Sequence, residues 1–392
     1  MPAKLSIKRS ASVEVVCAGT PYEMGVAQGR ALRSKIVAAR ADLARIESFS
    51  GRRPRWMPYW TYRLFAERKA WDAFAKPLAG DFPQTTQRIA GIAEGSGIGL
   101  KPTALFNVLE PMLSSVGGCT ACPGACSAVA VRGTRSATGE PIVARNFDYL
   151  PLIQPYYAIR ESRPAEGFRS LDFTAAPLAG AVDGMNERGL CIAYDYAFTT
   201  DLPERPAAPI SMVIAEALAR CGTVTEAAAW IDSRKRWGGG LLLLADATGD
   251  IASMEVSSTR SRLRRPAEGE DVLFHTNAFS EALMREVQIP DDAVYDHRAP
   301  GPLQGRRLHS SSDRRDARFR ELLARTDVLD ADTLAAVMAD HGPDDQPADD
   351  TPCVHGSYWF TTACLQFFPQ SKRLRVAYDT ACQARYETLR LS

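Results

Sequence analysis

Apolar residues fall three or four positions apart through Met24, Ala27 and Ala31 towards Ile36, and again between Phe82 and Leu109. That rhythm sets one helix face against a core, so the segment from about Pro21 to Leu113 is predicted to be mainly helical. From Cys126 onward the pattern changes to short β-type runs at 129–131, 142–144, 190–194, 241–245, 251–256 and 374–378. Helical stretches at 210–219, 224–231 and 315–323 interrupt them, and charged or proline-rich loops are read at 260–271, 290–313 and 341–352. Strands mixed with segregated helices point to an α+β protein built of packed layers. No internal repeat or low-complexity tract is visible.

One predicted strand pair carries candidate chemistry. Cys126 heads the run Ser127 to Val131, a polar turn covers Thr134 to Pro141, and the chain returns through Ile142, Val143, Ala144, Arg145, Asn146, Phe147 and Asp148. Antiparallel pairing lays the start of the first strand beside the end of the second. The Cys126 thiol is therefore expected near Arg145 and Asp148, where a cation favours the reactive thiolate. Cys119 is a poorer start for this strand, because Pro123 and Gly124 would then interrupt the ladder. Starting at Cys126 also leaves Val129 and Val131 on one face.

Composition narrows the function. The 392 residues are 45% hydrophobic, enough for one large core or two ordinary ones. The net charge of +1 gives no basic footprint for nucleic acid. The longest apolar runs, such as 238–247, are far short of a membrane span, and residues 1–20 lack a secretory apolar core. A cytoplasmic protein handling a small molecule is expected, with no nucleic-acid or membrane partner and with a homo-oligomeric state left open. Nine cysteines without a secretory segment do not suggest a disulfide framework. Cys17, Cys191, Cys221, Cys364 and Cys382 read as buried, unreactive thiols. Trp56, Trp60 and Trp71 read as packing residues, and His341 and His355 as loop or supporting residues.

Further motifs accompany the hairpin in a consistent order. Gly19-Thr20-Pro21-Tyr22-Glu23-Met24-Gly25 leads to Gln28-Gly29, Asp183-Gly184-Met185-Asn186-Glu187-Arg188-Gly189-Leu190 forms a turn motif, and His275-Thr276-Asn277-Ala278-Phe279 follows. Together with Arg145-Asn146-Phe147-Asp148 they resemble the N-terminal-nucleophile (Ntn) hydrolases of the penicillin acyltransferase (peptidase C45-like), choloylglycine hydrolase and penicillin V acylase group. Ala278 departs from the histidine usual there. The acyltransferase-like N-terminal motifs favour the penicillin acyltransferase branch.

The resemblance implies a four-layer αββα fold with two antiparallel sheets between helices. It also implies a precursor that cuts itself between Ala125 and Cys126, leaving residues 1–125 as a helical small chain bound to a catalytic chain of residues 126–392. The new α-amine would serve as base for its own thiol. Cys126 would attack an amide carbonyl, Arg145 would favour the thiolate, and Asp148 would orient the amine. Asn277 through its side chain and Tyr196 through its backbone would supply the oxyanion donors. Arg315 is the further basic residue of the site, in competition with Arg314, Arg318 and a plain solvated helix face. The expected activity is hydrolysis or acyl transfer at a non-peptide C–N bond, without cofactor or metal.

Two alternatives stay open. Cys119, Cys122 and Cys126 have C-x2-C-x3-C spacing and could hold zinc or an iron–sulfur cluster, with Cys353 or His355 as a further ligand. An inactive family member binding a small molecule is the other.

Overall fold

Two sheets lie face to face between helices in the computed structural model, which describes residues 10–114 and 125–391. Cys119 and Cys122 lie outside the described residues. The larger sheet runs, edge to edge, through β1 (Val13–Gly19), β4 (Tyr157–Pro164), β5 (Ser170–Ala175), β6 (Asp183–Asn186), β7 (Cys191–Ala197), β10 (Gly239–Ala245), β11 (Ile251–Val256) and β12 (Ser261–Arg264). The smaller sheet runs through β13 (Val272–His275), β2 (Ser127–Val131), β3 (Ile142–Tyr149), β14 (Phe360–Phe368), β15 (Arg373–Ala377) and β16 (Glu387–Arg390). Two short strands, β8 (Ala208–Pro209) and β9 (Arg236–Trp237), pair with each other. Within the two large sheets every pairing is antiparallel except β1 with β4.

The two-residue period of the strands builds the layers. Val129, Val131, Ile142 and Ala144 face outward onto Phe319, Leu323 and Leu334, which come from the helices Ser310–Ala324 and Ala331–Met338. Ala128, Ala130 and Val143 face inward onto Phe173, Met185 and Leu243 of the larger sheet. On that sheet's other side, Ile192, Leu242 and Leu244 pack against the N-terminal helices and Ile210–Arg220. Each fully buried Leu, Ile or Phe in these seams contributes about 1.5–3 kcal/mol. The layer order is αββα.

The N-terminal glycine motif has a packing cause. Helices Pro21–Ala31 and Pro83–Ser96 cross so closely that a Cβ on Gly25 would stand 2.2 Å from the Arg88 carbonyl oxygen, and one on Gly91 2.1 Å from that of Tyr22. Thr20 and Glu23 close a reciprocal capping box ahead of it, with Pro21 in the first turn.

Helices at Ile210–Arg220 and Val224–Asp232 form where the pattern placed them, while the one expected at 315–323 begins at Ser310. Residues before Cys126 are not only helical, since β1 is an edge strand of the larger sheet. The pattern missed β4 and β5 because buried polar groups break their apolar runs: Arg160 donates to Asp172 at 2.9 Å across the pair. β12 forms inside the stretch read as a loop at 260–271. The packing expectation fails for Trp56 and Trp60, which are 81% and 61% exposed, while Trp71 packs on the core. Cys17, Cys191, Cys221 and Cys364 are buried as expected, but Cys382 is exposed.

Candidate active site

Ser127 pairs with Asn146 and Ala128 with Arg145, so Cys126 sits at the open end of the β2–β3 ladder. There the Ala125 N–H donates to the Asp148 carbonyl at 3.1 Å, and the Cys126 thiol lies 3.7 Å from the same oxygen. Asn146 points the other way and donates its amide to the carbonyls of Met338 and Pro352.

Arg145 crosses between the sheets. Buried completely, it donates to Asp183 on β6 at 3.0 Å and to the Tyr194 carbonyl, and it lies 3.2 Å from Asp195 on β7. Asp195 in turn lies 2.9 Å from Nδ1 of the buried His275 at the end of β13. Burial alone would lower the Arg145 pKa, but the negative charges of Asp183, Cys126, Asp195 and Asp148 hold it raised. Burial pushes the Cys126 thiol well above its ordinary range, with Arg145 opposing and Asp195 and Asp148 reinforcing. Burial thus outweighs the opposing charge of Arg145 at this thiol.

Asp148 is fully buried at the end of the ladder, where Thr361 is the side chain that hydrogen-bonds it. Burial raises its pKa to about 7, against the opposing charges of Arg315 and Arg145. Asp183 is raised to about 7 by burial as well.

Arg315 reaches the site, contrary to the solvated-face reading. It is 1% exposed and donates to the Cys126 carbonyl at 2.7 Å, to Ser127 Oγ at 2.8 Å and to Asn277 Oδ1 at 2.8 Å. Arg314 and Arg318 instead pair with Asp350 and Asp340. Holding Oδ1 fixes the Asn277 amide, whose Nδ2 donates to the Tyr196 carbonyl at 2.8 Å and keeps a second hydrogen to offer. Cys126, Arg145, Asp148, Tyr196, Asn277 and Arg315 therefore meet in one place. Asp183, Asp195 and His275 join them without having been assigned roles from the sequence. The spacing of Arg315, Phe319 and Leu323, four residues apart and all buried, was the signal available for choosing Arg315 over its neighbours.

A cavity of about 200 Å³ opens on Cys126, Arg145 and Tyr196. Leu43, Ile46, Phe106 and Leu109 from the segment before Cys126 wall one side, and Leu150 and Ile153 another. Glu110, beside them, accepts a hydrogen bond from the Tyr194 hydroxyl at 3.0 Å, and burial raises its pKa from 4.5 to about 7. A carboxyl raised in this way binds more protons folded than unfolded between those two values. The stability it confers is full below the lower one and is lost as pH rises through the upper. Glu110→Gln is therefore expected to raise the melting temperature relative to wild type more at about pH 8 than at about pH 5. Equal differences at the two pH values in calorimetric scans would count against a buried, raised Glu110.

Two antiparallel sheets between helical layers, with a buried cysteine heading an inner strand among a guanidinium, carboxylates and an amide, define an Ntn hydrolase. The chain belongs to the acyl-coenzyme A:6-aminopenicillanic acid acyl-transferase family, whose model matches residues 135–371. That match takes in Arg145, Asp148, Tyr196, Asn277 and Arg315 and begins after Cys126. Among solved structures, the chain is similar to the Caenorhabditis elegans ortholog of N-acylethanolamine-hydrolyzing acid amidase, at 13% identity and a TM-score of 0.43 over 68% of this chain and 100% of that one. It is similar also to penicillin V acylase from Agrobacterium tumefaciens, at 16% identity and a TM-score of 0.42 over 68% of this chain and 86% of that one. A mutant conjugated bile acid hydrolase from Clostridium perfringens gives 12% identity and a TM-score of 0.40 over 68% of this chain and 97% of that one. No curated protein sequence matches significantly. The family and these neighbours are amide hydrolases and acyltransferases. Among the described residues no helix is long and apolar enough to cross a membrane.

Proposed function

We propose that the chain cuts itself between Ala125 and Cys126 and then hydrolyses, or transfers the acyl group of, a non-peptide amide through a Cys126 thioester. The observation that supports this reading is the Asp148 carboxylate, fully buried with Thr361 as its side-chain hydrogen-bond partner, at the end of the ladder where an α-amine would be freed. Three buried carboxylates, Asp148, Asp183 and Asp195, stand there beside two guanidinium groups, Arg145 and Arg315. An ammonium freed at Cys126 would give the Asp148 carboxylate a charged hydrogen-bond donor.

In the first step the thiol sulfur bonds to the Ala125 carbonyl carbon, the C–N bond breaks, and the Cys126 nitrogen takes the thiol proton. Water then cleaves the thioester, leaving a carboxyl on Ala125 and a free thiol. In turnover the α-amine takes the thiol proton as the sulfur attacks the substrate carbonyl, and it returns that proton to the leaving amine. Water or an acceptor amine releases the acyl group. Asn277 Nδ2 and the Tyr196 backbone are the oxyanion donors, and Arg315 holds Asn277 in place. The apolar cavity walls favour an apolar acyl group. Residues 1–125 stay bound as the small chain, anchored by β1 and by the cavity wall.

The intact mass of the purified full-length chain tests the first step. Two fragments meeting at Ala125 and Cys126 are expected, and a single uncut chain after prolonged incubation would overturn self-processing. For the second step, Asn277→Ala is expected to lower kcat about 10²–10³-fold with little change in KM. Steady-state kinetics on an amide found by screening the cut enzyme would check it, and an unchanged kcat would remove Asn277 from the oxyanion site.

A further inference from the structure

We propose that His341, Cys353, His355 and Cys382 form a structural zinc site. Cys353 and His355 do not gather on Cys126, whose neighbours are Arg145 and Asp148. They face His341 and Cys382 instead, and one ligand atom from each of the four lies within 4.8 Å of every other. His355 Nε2 is 3.3 Å from the Cys353 sulfur and 3.5 Å from the Cys382 sulfur. Zinc bonds of about 2.3 Å to sulfur and 2.0–2.1 Å to nitrogen, at tetrahedral angles, place adjacent sulfur and nitrogen atoms about 3.5 Å apart. The two sulfur–nitrogen distances already match the edges of that tetrahedron.

His341 adds an independent observation. Its Nε2 is buried and has no hydrogen-bond partner among the described residues, while its Nδ1 lies 3.3 Å from Asp345 Oδ1. A carboxylate on one ring nitrogen with the other aimed into a thiolate cluster is the usual setting of a metal-bound histidine. Asp345 is brought there by a left-handed backbone, φ +49°, inside the acidic loop.

Two cysteines and two histidines make a closed set with no position left for a substrate, which is the structural type of site. The ion would tie the loop from His341 to His355 onto the turn Ala381–Gln383, over a small apolar cluster of Cys353, Cys364, Ala377 and Ala381. Pro352, next to Cys353, accepts the Asn146 amide hydrogen bond, so the tie lies directly behind the strand that carries Arg145 and Asp148.

Metal analysis of the full-length chain purified without chelator should find about one zinc per chain. Cys119→Ser/Cys122→Ser should keep it, whereas Cys382→Ser and His341→Ala should each lose most of it. A chelator should lower the melting temperature of wild type and leave that of Cys382→Ser unmoved. Cobalt loaded into the wild-type chain should show the intense visible bands and thiolate charge transfer of a tetrahedral site, a readout that needs no variant to fold. Three results would overturn the proposal: no bound zinc or cobalt, zinc that follows Cys119 and Cys122, or a Cys353–Cys382 disulfide detected as a mass lower by two hydrogens.

Discussion

Cys126→Ala is expected to purify as one uncut chain and to lose turnover by on the order of a millionfold, the scale set by nucleophile removal in other covalent hydrolases. The fold should survive the change. The only hydrogen bond of the Cys126 sulfur among the described residues is the 3.7 Å contact to the Asp148 carbonyl, and alanine keeps the Cβ and the backbone ladder. Circular dichroism matching wild type would separate lost chemistry from lost structure. Intact mass and amine release then decide the matter: a variant that still splits before residue 126, or still releases amine at the wild-type rate, removes the sulfur from both steps.

The second large effect is on stability. Arg145→Met takes the guanidinium away from Asp183 and Asp195, both fully buried, and leaves the Tyr194 carbonyl without that donor. Breaking a buried ion pair from one side costs about 3–5 kcal/mol, because the remaining charge is stranded in a low dielectric. For a chain of this size that corresponds to a melting temperature lower by roughly 5 °C. Arg145→Lys should recover only part, since one ammonium cannot address two carboxylates and a carbonyl in the fixed planar geometry of arginine. Thermal melts of the three proteins on the Cys126→Ala background keep cleavage out of the comparison. Equal melting temperatures would mean that the Arg145 ion pairs add nothing net to stability.

The hairpin was readable because everything that defines it is local: two short runs, one polar turn, and a proline and glycine that bar the strand from starting earlier. Its register then puts Cys126 by Asp148 without further information. Asp183, Asp195 and His275 were not readable as site residues, because they arrive on strands of other hairpins and meet Arg145 only when the sheets pair or stack. Arg315 falls between these cases. Its place among three nearby arginines depends on the helix phase, and the decisive buried stripe is only two apolar residues long, Phe319 and Leu323. The cluster around His355 was hidden by distance along the chain, with Cys382 far from the loop that supplies the other three groups.

The cavity divides inheritance between two stretches of sequence. Leu43, Ile46, Phe106 and Leu109 shape the space beside Cys126, while Arg145, Asn277 and Arg315, the groups proposed to act there, come from a strand, the segment after β13 and a helix elsewhere. A substitution among the first four reshapes what fits without moving a proton or a charge. On the proposed reading, residues 39–113 are therefore the place to alter which acyl group fits while leaving the chemistry of the strands alone.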